Sequence, residues 1–253
     1  MATETINEVN QLTKPTSSSL RTKASKLVQR NKHIHYDNNS RSQANPIIPI
    51  TMNECFTVLH QNIRGLKDKT NELLGSMLPK LPLVVCLTEH HLRDQERENL
   101  PLAHYILGAK FCRTNLKQGG TKIFVHESLA FNNINLQKSC SEQDIETCAI
   151  KIDLSATYIY VISIYRSPTG NFANFLNGID DILNQLYKPN IEIIICGDIN
   201  VNYLDENCNK YRQLDALFAT YNIISTVKFP TRSLKGSATA IDNIFIDKSH
   251  SGK

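Results

Sequence analysis

Six polar side chains fall where apolar strands run out, and they are of one chemical kind. The stretch "IEIIICGDINVN", Ile191 to Asn202, carries a run of isoleucines into Asp198 and Asn200. Asn62 follows "VLHQ", Glu89 follows "VVCLT", Tyr165 follows "VISI" and Asp242 lies within "TAIDNIF". Carboxylates and amides offered by neighbouring strand ends make a hard, oxygen-rich pocket. Such a pocket suits Mg2+, which keeps several waters and favours one or two carboxylates plus substrate phosphate. Each residue also has an ordinary use. Asn62 can cap a turn at Arg64 and Gly65, Glu89 can pair with Arg93, Asp198 can open an Asx-turn and Asp242 can cap a bend. Tyr165 can be one more strand aromatic beside Tyr158 and Tyr160. Their recurrence at strand ends favours a shared site.

The elements that must position them alternate along the chain. "CFTVLHQNI" has the period of a strand, "KDKTNELLGSML" that of a helix, and "LPLVVCLTEHH" that of a strand buried on both faces. "YILGAKFCR" and "TKIFVHESL" flank Gly119 and Gly120, a hairpin signal, and "IETCAIKIDL" pairs with "TYIYVISIYR" about Ser155 and Ala156. Phe172, Phe175, Leu176, Ile179, Ile182, Leu183 and Leu186 recur at three and four, which predicts an amphipathic helix. A strand over 192–197, with Gly197 read as a turn residue, a helix near 210–221 and "SATAIDNIFID" complete the series. Hairpins mixed with helical crossovers predict an α/β domain of the layered α+β kind.

Composition bounds the rest. The chain has 253 residues, 41% of them hydrophobic, enough for one large domain with a tail. No apolar run approaches the roughly 18 residues that cross a bilayer, and "MATETINEVN" lacks the layout of a secretory signal. Seven cysteines without a C-x-x-C pair argue for a reducing, intracellular setting with neither disulfides nor zinc. Residues 1–50 hold seven Lys or Arg against three acids, so the net charge of +4 lies there. That segment, rich in Ser, Thr and Asn, is expected to be a disordered basic tail, with the folded domain over 51–253. The tail could touch nucleic acid non-specifically or be a solvated linker.

"LHQNIRGL", "CLTEHHL", "GGTKIFV", "SIYRSP", "CGDINVN", "FPTR" and "AIDNIF", in that order, resemble the successive motifs of the endonuclease/exonuclease/phosphatase superfamily. The closest likeness is to endonuclease domains of insect non-LTR retrotransposons, over roughly residues 55 to 247. The resemblance implies a four-layer sandwich, two packed mixed β-sheets with helices outside, and Mg2+-dependent phosphodiester hydrolysis, Mn2+ being an alternative ion. Carried over residue by residue, it makes Glu89 the principal metal ligand with Asn62 beside it. Asp198 would orient or deprotonate the attacking water, Asn200 would hold the scissile phosphate and Tyr165 would donate a hydrogen bond to it. Thr231 in "FPTR" would touch the DNA backbone, and Arg166 and Arg64 are further candidates for substrate contact.

In the family Asp242 would orient a histidine of a later Ser-Asp-His motif. Here the sequence given stops at Lys253, so the domain is expected to lack that motif and the last strand. His250 comes only eight residues after Asp242 and has no preceding Asp, which argues against it as a substitute. The expected partner is DNA, with no membrane and no small-molecule cofactor, and the expected state is a monomer with access to the nucleus. Two alternatives stand beside DNA nicking: a catalytically inactive nucleic-acid-binding remnant, and a phosphoesterase of the same superfamily acting on another phosphate ester.

Overall fold

Thirteen strands and three α-helices occupy the described residues, 26–30, 56–93, 100–154, 157–188, 191–234 and 236–248 of a computed structural model. The strands are β1 (Lys26–Arg30), β2 (Phe56–Asn62), β3 (Val84–Thr88), β4 (Tyr105–Phe111), β5 (Thr121–His126), β6 (Phe131–Ile134), β7 (Glu146–Leu154), β8 (Thr157–Tyr165) and β9 (Ile191–Asp198). After them come β10 (Ile223–Ser225), β11 (Arg232–Leu234), β12 (Ser237–Thr239) and β13 (Asp242–Asp247). The helices are α1 (Thr70–Met77), α2 (Phe172–Leu186) and α3 (Asn209–Thr220). One mixed sheet runs β1-β2-β3-β5-β4, a second runs β10-β13-β9-β8-β7-β6, and β11 and β12 form a small hairpin.

Alternation along the strands divides their residues between two kinds of contact. Val58, Val84, Cys86, Ile123 and Val125 of the first sheet meet Ile150, Ile159, Val161, Ile194, Cys196 and Ile244 of the second. On the outside, Leu73 and Met77 of α1 cover Leu59, Val85, Leu87 and Phe124. Phe175, Ile179, Ile182 and Leu183 of α2, with Leu214 and Phe218 of α3, cover Ile162, Ile164, Ile193, Ile195 and Phe245. The result is the expected four-layer α/β sandwich. Helix α2 starts where its sequence says it should, because the Asn171 side chain accepts from the N–H groups of Ala173 and Asn174.

Three local expectations change. Gly197 lies inside β9 and not in a turn; a Cβ there would stand 1.7 Å from the Ile164 carbonyl oxygen, so the β8–β9 approach excludes any other residue. Gly119 and Gly120 do precede a strand antiparallel to β4, but they close a loop over residues 112–120 and not a tight hairpin. Residues 26–30, expected within a disordered tail, form β1, antiparallel to β2 from Lys26 opposite His60 to Arg30 opposite Phe56. An edge strand leaves a row of backbone donors and acceptors open, and that row specifies a partner by main chain more than by composition. The rest of the expected tail, and His250, lie outside the described residues. No helix among the described residues is long and apolar enough to cross a membrane.

Candidate active site

Continuing each inner row in steps of two residues reaches the site. Val58 leads through His60 to Asn62, Val161 through Ser163 to Tyr165, Ile194 through Cys196 to Asp198, Ile150 through Cys148 to Glu146, and Ile244 back to Asp242. The apolar layer between the sheets therefore turns polar at one end. In the second sheet the ladders align Asp242 with Asp198, Asp198 with Tyr165, and Tyr165 with Glu146, one residue per strand. All four are buried.

Glu89 comes from the opposite sheet, in a turn that leaves β3. Its φ is 53°, and His91 follows at 61°, both in the left-handed region that side chains seldom adopt. The turn is held by the chain after β2: Gly65 N–H donates to the Glu89 carbonyl at 2.7 Å and Leu66 N–H to the His90 carbonyl at 3.0 Å. Asn62, at the end of β2, then bridges the sheets. Its Nδ2 donates to Glu89 Oε1 at 2.6 Å and to Asp198 Oδ2 at 2.5 Å, so two carboxylates from different sheets converge on one nitrogen. Asn62 Oδ1 is buried with no hydrogen-bond partner. His91 Nε2 lies 3.6 Å from Glu89 Oε2.

No three His, Cys, Asp or Glu side chains among the described residues group as a metal cage. The donor set that does converge is of another kind, carboxylates with a buried amide oxygen left over, and it matches a hard cation that keeps most of its water. The residues expected to hold Mg2+, Glu89 and Asn62, thus fit it on their chemistry and on the orphaned Asn62 Oδ1.

Tyr165 and Asn200 flank this point. Burial pushes the Tyr165 phenol well above its usual range, and the charges of Glu89 and Asp198 push the same way, so it keeps its proton. Asn200 sits just past β9 at φ 50°, and its N–H reaches back to Asp198 Oδ1 at 3.3 Å, the Asx-turn that sequence allowed. Its Nδ2 donates to the Arg166 carbonyl at 2.7 Å, which fixes the amide while leaving a second N–H. Beside it a cavity of about 250 Å3 is bordered by Asn200, Arg232, Ser237, Thr239 and Ile241.

Two residues expected to touch substrate are turned inward. Arg166 is wholly buried, and its guanidinium donates to the carbonyls of Ile199, Gly170 and Asn200, each at 3.0 Å. It clamps the 199–200 turn, where its five fixed donors meet carbonyls that would otherwise be unsatisfied. Thr231 is buried too. Its hydroxyl donates to Asp242 Oδ2 at 3.1 Å while accepting from the N–H groups of Ile241 and Asp242. Asp242 Oδ1 is buried without a partner. Arg64 stays exposed on the rim, at φ 47°.

Sequence reasoning passed over Arg113, Glu146 and His90. Glu146 carried a signal, since it shares the inner face of β7 with Cys148 and Ile150, where a carboxylate needs a partner. Arg113 gave none, because its partner lies 33 residues away. His90, directly after Glu89, is fully buried, with a pKa that burial lowers to about 4.

Known proteins share this arrangement of layers. The chain is similar to the endonuclease domain of TRAS1, a telomere-specific non-LTR retrotransposon, at 15% identity and a TM-score of 0.60, over 76% of this chain and 84% of that one. It is similar to the AP endonuclease LMAP from Leishmania major, at 14% identity and 0.58, over 75% and 78%. The 3'-5' exonuclease NExo from Neisseria meningitidis matches at 13% identity and 0.53, over 76% and 87%. No curated protein matches in sequence. The chain has the fold of the endonuclease/exonuclease/phosphatase superfamily, and its residues 159–253 match that superfamily's Endonuclease-reverse transcriptase family.

Proposed function

We propose that this chain is a DNA endonuclease that hydrolyses a phosphodiester bond with the help of Mg2+. The observation that carries the reading is the convergence of Glu89 and Asp198, from separate sheets, on the Asn62 amide whose Oδ1 has no partner. Glu89 and Asn62 would hold Mg2+, or Mn2+ in its place, which when bound offsets the charge that builds on the phosphate. Asp198 accepts the proton of the attacking water, a role that needs a carboxylate within hydrogen-bond reach. The spare Asn200 N–H and the Tyr165 hydroxyl donate to the phosphate oxygens, and both are fixed in advance, as such donors must be. Arg64, exposed beside the Asn62 turn, contacts the backbone of the nucleic acid. DNA is favoured as substrate by similarity to proteins described with DNA, among them TDP2 from D. rerio complexed with single strand DNA product.

A second reading, a protein that binds nucleic acid without cutting it, is favoured by Asp242 Oδ1, a buried acceptor with no donor among the described residues. One experiment separates the readings: supercoiled plasmid is incubated with the folded chain and Mg2+, with an EDTA control, Asp198→Ala, and a small phosphate ester as a competing substrate. Nicking that needs Mg2+ and Asp198 supports the endonuclease. Salt-sensitive binding without nicking supports the second reading, and turnover of the small ester alone points to another phosphoesterase.

A further inference from the structure

The two halves of the site are joined by a buried ion pair that holds no metal and meets no phosphate itself, though its guanidinium faces the Tyr165 ring. Arg113 opens the 112–120 loop. Its Nε donates to Glu146 Oε1 at 2.6 Å, its Nη2 lies 2.5 Å from the same oxygen as an ion-pair contact without a hydrogen bond, and its Nη1 donates to the Lys117 carbonyl at 3.1 Å. Glu146 is fully buried. Its Oε2 accepts from Gly120 N–H at 2.6 Å and its Oε1 from Gln143 N–H at 2.8 Å.

On one side this pair faces Tyr165. Glu146 is the ladder partner of Tyr165, and the Arg113 guanidinium carbon lies 5.8 Å from the phenol ring centre. On the other side it fixes the glycines under the Glu89 turn. The Gly119 carbonyl accepts from His91 N–H at 3.0 Å, and a Cβ on Gly120 would stand 2.3 Å from His90 Nε2. His90 in turn donates from Nε2 to the Phe111 carbonyl at 2.9 Å and accepts from Leu92 N–H at Nδ1. Glu146 therefore reaches Tyr165 directly and Glu89 through Gly120 and His90.

We propose that the Arg113–Glu146 pair is the positioning device that keeps the Glu89 turn of one sheet in register with Tyr165 of the other. The inference rests on reading Glu89 as a metal ligand and Tyr165 as a phosphate contact. Arg113 and Glu146 are positioning residues, acting through the 119–120 backbone and the phenol. The planar guanidinium donates from Nε to Glu146 and from Nη1 to the Lys117 carbonyl at once, so it sets direction as well as charge, which an ammonium cannot do.

The test uses Arg113→Lys, which keeps a cation against Glu146 and removes the fork. Three quantities are read in the folded chain: Mn2+ affinity by electron paramagnetic resonance, the Tyr165 ring signal by NMR, assigned with Tyr165→Phe, and kcat and KM for plasmid nicking. The expected result is a loss of Mn2+ affinity of about ten- to a hundredfold, as outer partners of metal ligands usually give. A moved Tyr165 signal and a lower kcat at unchanged KM complete it. The double variant Arg113→Met with Glu146→Leu leaves no unpaired charge; it is expected to fold and to bind Mn2+ as weakly as the lysine variant. Wild-type Mn2+ affinity and Tyr165 signal in either folded variant would overturn the proposal. So would an Arg113→Lys chain that does not fold, since the pair would then be a requirement of the fold. Failure of the wild type to bind Mn2+ would sink the metal reading separately, and the Tyr165 signal would still judge the pair.

Discussion

Asp198 and Asp242 stand opposite each other in the β9–β13 ladder, two carboxylates on neighbouring strands and one face. Like charges so placed oppose pairing, and here each is met by its own donor, Asn62 for Asp198 and Thr231 for Asp242. Two polar groups are thus kept where the same inner rows could have continued in isoleucine.

Asp198→Asn removes one of these charges and keeps the shape. Nicking is expected to fall about 10²- to 10⁴-fold, the usual contribution of a proton acceptor. Urea unfolding should show the variant at least as stable as wild type, because the charge opposite Asp242 is gone. Activity within threefold of wild type would remove Asp198 from the proton's path.

Arg166→Gln, which removes the charge, tests whether the buried clamp meets substrate. Three carbonyls lose their fork, so stability should drop by about 2–4 kcal/mol, the cost of leaving buried acceptors unmet. The salt dependence of DNA binding should keep its slope. Loss of a phosphate contact would instead lower that slope by about one, and that result would return Arg166 to the interface.

Two glycines give opposite signs. At Gly197 an added Cβ meets the Ile164 carbonyl, which is backbone and cannot turn aside, so Gly197→Ala should cost more than about 3 kcal/mol. At Gly75, inside α1, nothing lies within 4 Å, and Gly75→Ala should add about 0.5–1 kcal/mol. Denaturant unfolding of both variants reads the contrast.

Glu142 ties the 114–116 loop down. Its burial works to raise the carboxyl pKa, but bonds from the N–H groups of Asn115, Thr114 and Leu116 outweigh that and lower it. A carboxyl lowered in the folded state stabilises above its unfolded pKa and ceases to do so as pH falls through the folded one. Wild type should therefore exceed Glu142→Gln in stability at pH 7, and the gap should close below about pH 4, the ordinary range of a free carboxyl. A gap that is constant with pH would mean the loop is held by shape alone.

Much of the candidate site's layout was legible because strand period and residue type pointed the same way. Asn62, Glu89, Tyr165, Asp198 and Asp242 could be read at strand ends, and α2 from its spacing, since periodicity is local information. The roles of Arg166 and Thr231 could not. A charged or hydroxyl residue beside a catalytic motif looks the same in sequence whether it faces solvent or three carbonyls, and only packing decides. Gly119 and Gly120 misled for a related reason: the pair signals a turn, while the nine-residue loop and its seat under His90 are set by Glu146, 26 residues away. Strand β1 was illegible because what recruits it is the open backbone of β2, which composition does not encode.

The single row Asp242–Asp198–Tyr165–Glu146 takes one residue from each of four strands. Side chains alternate between faces, so sliding any one strand by a single residue sends its member to the helix side. No partly correct pairing leaves a weakened version of the row. A misregistered molecule therefore lacks the row altogether, and the four polar side chains come together only in chains whose second sheet has closed in its one proper alignment.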